Sequence, residues 1–316
     1  MFLPNDGVRM RRSLAVTVAI ASLFTLSTAV PAGATDTTQA TAGLIARVAP
    51  DQGDVLVGQL TDDGVAVEFE GGVVSVPIDA QSAVVLADTK IGDELKVSLP
   101  AELVVEDGRV AEDGTIVYDG ADASAAVQVL EDGSTRLQTI TNSATGPHEF
   151  TYTFGDNVRP VEGEGGRIEL LADYGGVAMV VAHVDEAWAN DADGDAVPTS
   201  YRVEGDALVQ VVEPAADTQY PVVADPKVTR TWWNTTVYFN RNETATMAFT
   251  AGGIAAMAAL IPDVTISKIV AAGAGVSSAY IGLIFNRNKC LKFVYYAHAA
   301  NVWQEYAGAE AGGYCR

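Results

Sequence analysis

Tyr220-Pro221-Val222-Val223-Ala224-Asp225-Pro226 divides the chain into two stretches of different texture. Before it, residues 35–226 hold 36 acidic and 8 basic side chains, a net charge of −28. After it, residues 227–316 hold 4 acidic and 8 basic side chains, a net charge of +4. Pro221 and Pro226 each restrict the residue before them to extended backbone. Pro221 has no amide to donate, which suits a strand end or an edge. The segment therefore reads as a boundary between an acidic, turn-rich domain (35–226) and a mildly basic, apolar module (227–316).

The acidic domain has the period of a β protein. Val65-Ala66-Val67-Glu68-Phe69-Glu70 alternates apolar and polar side chains, as a half-buried strand does. Further strands are expected over 73–78, 103–105, 115–118, 126–130, 136–140, 149–154 and 176–184. Asp-Gly and Gly-Gly pairs fall between them, at Asp63-Gly64, Asp107-Gly108, Asp113-Gly114, Asp132-Gly133, Gly165-Gly166, Gly175-Gly176 and Asp193-Gly194. Such pairs accept the positive φ of tight hairpins. The pattern predicts antiparallel sheets in a sandwich or open barrel. Residues 35–43 are small and polar and are expected to form a flexible start. The carboxylates suit exposed turns and outer strand faces that keep the protein soluble. They argue against nucleic acid as a partner, because phosphate binding needs a basic surface. An acidic shield over the basic module is the sharper reading.

Asn190-Asp191-Ala192-Asp193-Gly194-Asp195 resembles the start of a calcium loop. The bidentate Glu such a loop needs at its twelfth position would fall on Arg202, so the segment reads as a hairpin turn. Trp188, Asp191-Ala192-Asp193-Gly194, Val197-Pro198-Thr199-Ser200-Tyr201, Leu208-Val209-Gln210-Val211-Val212 and the segment 220–226 together resemble a module of secreted actinobacterial proteins. Similar Tyr-Pro-Val…Asp-Pro endings close β-rich segments of large cell-wall-associated proteins. The resemblance implies an exported β domain followed by a variable C-terminal module. It implies no activity and supplies no catalytic residues.

Upstream, Arg9, Arg11 and Arg12 precede an uncharged, mostly apolar stretch (13–30) and then Pro31-Ala32-Gly33-Ala34. This is the pattern of a signal peptide over residues 1–34, cut after Ala34. Met10 would start a signal of ordinary length. Arg11-Arg12 fits a Sec n-region and, more weakly, a twin-arginine signal. The expected address is secreted, extracellular or associated with the cell envelope. Cys290 and Cys315 are the two cysteines of the chain. An oxidising compartment predicts one disulfide between them. Closing that loop contributes roughly 3 kcal/mol.

In the C-terminal module, residues 231–239 are aromatic and β-branched, hence strand-like. Asn240 and Glu243 form a capping pair for a helix over 241–261. Pro262-Asp263 breaks it, and Asp263 caps a second helix over 264–285. Residues 245–261 and 269–285 are each 17 residues without a charge, the lower edge of the transmembrane range. Ala248, Gly252 and Ala256 in the first helix, and Ala271, Gly275 and Ala279 in the second, form small-residue stripes that would let the helices pack closely. The hairpin reads either as a water-soluble core element or as a membrane-active one. Lys289, Lys292, Tyr295 and Tyr296, with Trp232 and Trp233, form a candidate membrane or partner surface, since aromatic and basic side chains favour interfaces. An ordinary exposed strand remains the other reading. This module also resembles small secreted actinobacterial proteins with an Asn-Arg-x-Glu-Thr helix start, a Lys-Cys-Leu-Lys strand and a Gly-Tyr-Cys end.

His148, His183 and His298 are far apart, with no zinc-ligand spacing. Ser277, in Gly275-Val276-Ser277-Ser278-Ala279, lacks the closing glycine of a nucleophile elbow. No metal or cofactor is expected. The sequence predicts an α+β protein: an antiparallel, sandwich-like β domain, then a small helical-hairpin module with flanking strands and one disulfide. The functional expectation is a non-enzymatic exported protein whose C-terminal module engages a membrane or the cell envelope, in a bacteriocin-like or toxin-like manner. A structural or adhesive envelope protein is the alternative, and a cell-wall hydrolase the third.

Overall fold

The alternation at residues 65–70 is the seed of a five-stranded meander in which each strand pairs with the next in sequence. Its strands are Gln59–Leu60, Gly64–Phe69, Gly72–Pro77, Val84–Asp88 and Glu94–Val97. Val65, Val67, Val74, Val76, Val84, Leu86, Leu95 and Val97 all point to one buried face. The computed structural model describes residues 32–316 apart from 90–92, 164–166, 175–176, 232–233, 274, 297–300 and 309. The predicted signal segment before Ala32, Trp232, Trp233 and His298 lie outside the described residues.

A 13-stranded antiparallel sheet forms the centre of the protein. Ile116–Tyr118, Ala123–Val129 and Thr135–Thr141 form one side of it. Ile168–Asp173, Ala178–Val184, Asn234–Tyr238, Cys290–Tyr296 and Val302–Tyr306 form the other. Lys227–Arg230 joins the two sides, pairing with both Thr135–Thr141 and Ala178–Val184. A third sheet, Glu149–Thr153, Ala207–Val212 and Thr199–Glu204, packs its Leu208 and Val212 into the same core. The class is α+β, dominated by antiparallel sheets, as its turn chemistry predicts. Gly114 (φ 92°), Gly133 (φ 79°) and Gly194 (φ 88°) occupy the left-handed region at their turns.

The proposed boundary at Pro226 is not a gap between two bodies. Val222–Asp225 and Lys227–Arg230 flank Pro226, and both pair with Thr135–Thr141 in one continuous register. Arg230 of the basic stretch is 3.3 Å from Asp93 of the acidic one, and Lys227 is 3.1 Å from Asp185. The change in composition marks a change of surface, while the backbone ladder runs through it.

Residues 35–43 are also not a loose start. They belong to helix α1, Ala32–Val48, whose Leu44, Ile45 and Val48 pack on Val117, Ala126, Ile140 and Val223. This helix covers the second face of the central strands, so all seven residues of Ala123–Val129 and of Thr135–Thr141 are buried. The expected strand at 103–105 is only a single bridge between Val105 and Gly120.

The two long tail helices are four short ones: α2 (Arg241–Phe249), α3 (Gly253–Ala258), α4 (Val264–Ala272) and α5 (Ser278–Asn286). Asn240 and Glu243 make the expected capping box, and Asp263 caps α4 through Thr265 and Ile266 amides, both at 2.8 Å. The unexpected breaks fall at glycines. Gly252 takes φ 80° and turns the chain between α2 and α3. At Gly273, the Trp303 indole lies so close that an added Cβ would meet it at 2.4 Å. Trp303 Nε1 also donates to the Gly273 carbonyl at 2.9 Å, fixing the end of α4. Ser277 is the N-cap of α5, its hydroxyl accepting from the Tyr280 amide, and not a mid-helix residue.

Candidate functional site

Successive side chains of a strand point to opposite faces, and Cys290–Tyr296 uses both. Leu291 and Phe293 are fully buried on one face, with Tyr295 packed beside them, under the four short helices. Lys292, Val294 and Tyr296 line the other face. The predicted surface of Lys289, Lys292, Tyr295 and Tyr296 is therefore split by the pleat. Lys289 is held by Glu305 at 2.6 Å, and Lys292 is buried and held by Glu310 at 2.8 Å. These ammonium groups are paired within the protein, so they do not form one basic patch.

The face carrying Lys292 forms a polar hollow of about 240 Å3. Register brings its walls together: Tyr238 lies opposite Lys292 on the neighbouring strand, and Glu169 opposite His183. Tyr238 donates its hydroxyl to Glu169 at 3.0 Å, and Arg167 approaches the same carboxylate at 3.9 Å. Burial pushes the Glu169 carboxyl up, while the Tyr238 hydrogen bond and Arg167 pull it back in part. Burial, with Arg167 adding to it, pushes His183 down to about 4, so its ring is neutral at ordinary pH. The His183 Nδ1 is buried without a hydrogen-bond partner. Thr231 and Thr235 donate their hydroxyls to the Val180 carbonyl at 3.0 and 2.6 Å, so those protons are engaged with main chain. The hollow can offer a neutral imidazole, and a carboxyl with Arg167 beside it, to a small polar ligand.

The opposite face carries the helical layer. Met247, Ile254, Met257, Ile261, Ile266, Val270, Ile281 and Ile284 are buried there, over Phe239, Leu291 and Phe293. The small-residue stripes do not make this contact. Gly252, Ala271, Gly275 and Ala279 are exposed, Ala256 is half-buried, and Ala248 packs partly on the core. The helix breaks leave most of the stripe residues in solvent, and larger side chains do the packing instead. The layer also leaves large apolar side chains in solvent: Phe249 (65% exposed), Leu260 (64%), Val264 (65%) and Leu283 (56%). Phe249 packs edge-on against Phe285 at 5.5 Å, while Leu260 and Val264 flank the α3–α4 corner. Asp263 and Lys268 are the only charges between residues 245 and 285. No helix among the described residues is long and apolar enough to cross a membrane.

Cys290 and Cys315 form the predicted disulfide. The 190–196 segment is the predicted hairpin turn: Asp191 Oδ1 accepts from the Asp193 and Asp195 amides and Oδ2 from the Gln219 amide, each at 3.0 Å. Those main-chain donors hold the Asp191 carboxyl below its usual range, led by Gln219. Among the described residues no group of three or more His, Cys, Asp or Glu could hold a metal. His148 bonds the Tyr220 hydroxyl at 3.1 Å, away from His183. Sequence reasoning missed the Arg167–Glu169–His183–Tyr238 grouping, because it depends on long-range register. The one local signal was a lysine, Lys292, in the middle of an apolar strand.

Comparison with protein families, curated proteins and solved structures returned no match.

Proposed function

We propose that this is an exported, non-enzymatic protein that works as one body and docks peripherally on the cell envelope through its helical layer, at a membrane interface. The carrying observation is that the helical layer leaves four large apolar side chains, Phe249, Leu260, Val264 and Leu283, each more than half exposed, in a stretch with two charges between residues 245 and 285 of a protein whose net charge is −22. A contiguous apolar patch of such side chains on a folded surface marks an interaction or membrane site. Helices of 6 and 9 residues are too short to span a bilayer, which needs about 20 apolar residues. The test is flotation of the full chain with neutral and with anionic phospholipid vesicles. Wild type should float, and Phe249→Asp combined with Leu283→Asp should stay in the soluble fraction with unchanged thermal stability. Failure of wild type to float with either vesicle would end the membrane reading. A second reading, a structural or adhesive envelope protein, is favoured by the weaving of Lys227–Arg230 into the central sheet, which ties the tail to the acidic part.

A further inference from the structure

Asp225 ends the strand Val222–Asp225, and Pro226 leads directly into Lys227–Arg230. Asp225 is 0% exposed, and neither oxygen of its carboxyl has a hydrogen-bond partner. A buried polar group left in that state calls for a functional account. The Tyr201 hydroxyl reaches in from the three-stranded sheet and donates to the main-chain carbonyl oxygen of Asp225 at 2.9 Å. The residue thus combines an unengaged carboxyl, a carbonyl already held by an O–H donor, and proline as the next nitrogen.

We propose that Asp225–Pro226 is a self-cleaving peptide bond, with the Asp225 carboxyl as internal nucleophile and Tyr201 as the donor to the oxyanion. One carboxyl oxygen attacks the carbonyl carbon of its own residue and closes a five-membered ring. The carbonyl electron pair moves to its oxygen, where Tyr201 donates to it. Collapse breaks the C–N bond. The Pro226 nitrogen leaves with that bonding pair and takes the proton that the carboxyl carried. Asp225 is left as a cyclic anhydride, which one water opens to two carboxyl groups. The sum is peptide plus one water giving an acid and an amine, with no oxidant or further reactant. Attack within one residue removes the cost of bringing two groups together. The reaction acts once, on this chain alone, and stands independently of the envelope reading.

The surroundings favour the acid form that the leaving nitrogen needs. Burial pushes the Asp225 carboxyl up to about 8, with Arg136 and Lys227 pulling it down and Asp185 pushing it up. Tyr152 and Tyr201 face it from the three-stranded sheet, and Asp51 lies by Arg136. Tyr201, which bonds Asp225, also lines a pocket of about 450 Å3 together with Gln52, Asp185 and Glu186, so a solvent-filled space lies one side chain away. After cleavage the two pieces would stay together, because Lys227–Arg230 remains paired on both sides.

The test is intact mass, under denaturing conditions, of the full chain incubated between about pH 6 and pH 9. Two fragments are expected, one ending at Asp225 and one beginning at Pro226, with masses that sum to the parent plus one water. The rate should fall as pH rises past about 8. Hydroxylamine should trap the anhydride as a hydroxamate on Asp225. Tyr201→Phe should slow cleavage on the order of a hundredfold. A parent mass that persists throughout would overturn the proposal. So would fragments that form without any hydroxamate, which point to a contaminating protease. Should Tyr201→Phe fail to fold, trapping on the wild-type chain decides the matter.

Discussion

Glu243 is buried, yet three donors converge on its carboxylate: the Asn240 amide at 2.6 Å, the Asn240 side chain at 2.9 Å and the Tyr314 hydroxyl at 3.2 Å. Burial outweighs them and pushes its pKa from 4.5 to about 7. The folded state then binds the proton more tightly than the unfolded chain does. The stability this group confers is complete below about 4.5 and is lost as pH rises to about 7. Glu243→Gln should flatten that part of the pH dependence of the urea midpoint. His183 acts in the opposite sense, because its pKa falls from 6.5 to about 4 on folding. Its unfolded form binds more protons across that window, so stability rises with pH there. His183→Gln should remove this rise, and titrating the two variants side by side separates the contributions.

At the scale of elements, one glycine of the tail is packed and another is idle, and the small-residue stripes named the wrong one. A Cβ at Gly273 would meet the Trp303 ring at 2.4 Å and Phe293 at 3.0 Å. Gly273→Ala should cost about 1–3 kcal/mol in denaturant unfolding, as overpacking does. A Cβ at Gly275 would meet nothing within 4 Å, so Gly275→Ala should change stability by less than about 0.5 kcal/mol. Arg241 is a second fastener: its guanidinium donates to the Phe285 and Lys289 carbonyls at 3.0 and 3.1 Å and lies 4.0 Å over the Phe285 ring. Arg241→Ala should cost about 2 kcal/mol, the loss of charged hydrogen bonds at the end of α5. Local chemistry made some elements legible: the turns at Asp63-Gly64, Asp113-Gly114, Asp132-Gly133 and Asp193-Gly194, the Asn240–Glu243 box and the Asp263 cap read directly, whereas Asp107-Gly108 leads into a strand without a turn. Helix α1 was not legible, because residues 35–43 are polar and only Leu44, Ile45 and Val48 mark its buried side. The breaks at Gly252 and Gly273 were hidden too, since an Ala/Gly-rich run is equally consistent with one helix or two.

For the whole molecule, the central question is which strand lies beside which, and alternation cannot answer it. Residues 176–184 read as a strand from sequence, but the pairing of Ala178–Val184 with Lys227–Arg230 joins positions more than forty residues apart. The polar hollow inherits that dependence: Arg167, Glu169 and His183 meet Tyr238 and Lys292 only once those strands have paired. The charge break at Pro226 was legible, and the backbone ladder that runs through it was not. Residues 35–226 and 227–316 expressed apart should each lack a cooperative unfolding transition, and co-expression should restore one. Two independent transitions would show that the halves fold alone.

The position of Lys227–Arg230 between two earlier strands also sets a timetable. The chain is made from its N-terminus, so Thr135–Thr141 and Ala178–Val184 exist before the strand that joins them. Until the last third arrives, each presents an unpaired edge, the first rich in Thr and the second in Val and Ala, the kind of edge that recruits a second chain. The 36 acidic residues upstream are in place during that interval. Nascent copies of like charge repel one another while their edges are open. The acidity that looks like surface decoration in the finished protein thus acts earliest, as protection for a sheet still waiting for its middle.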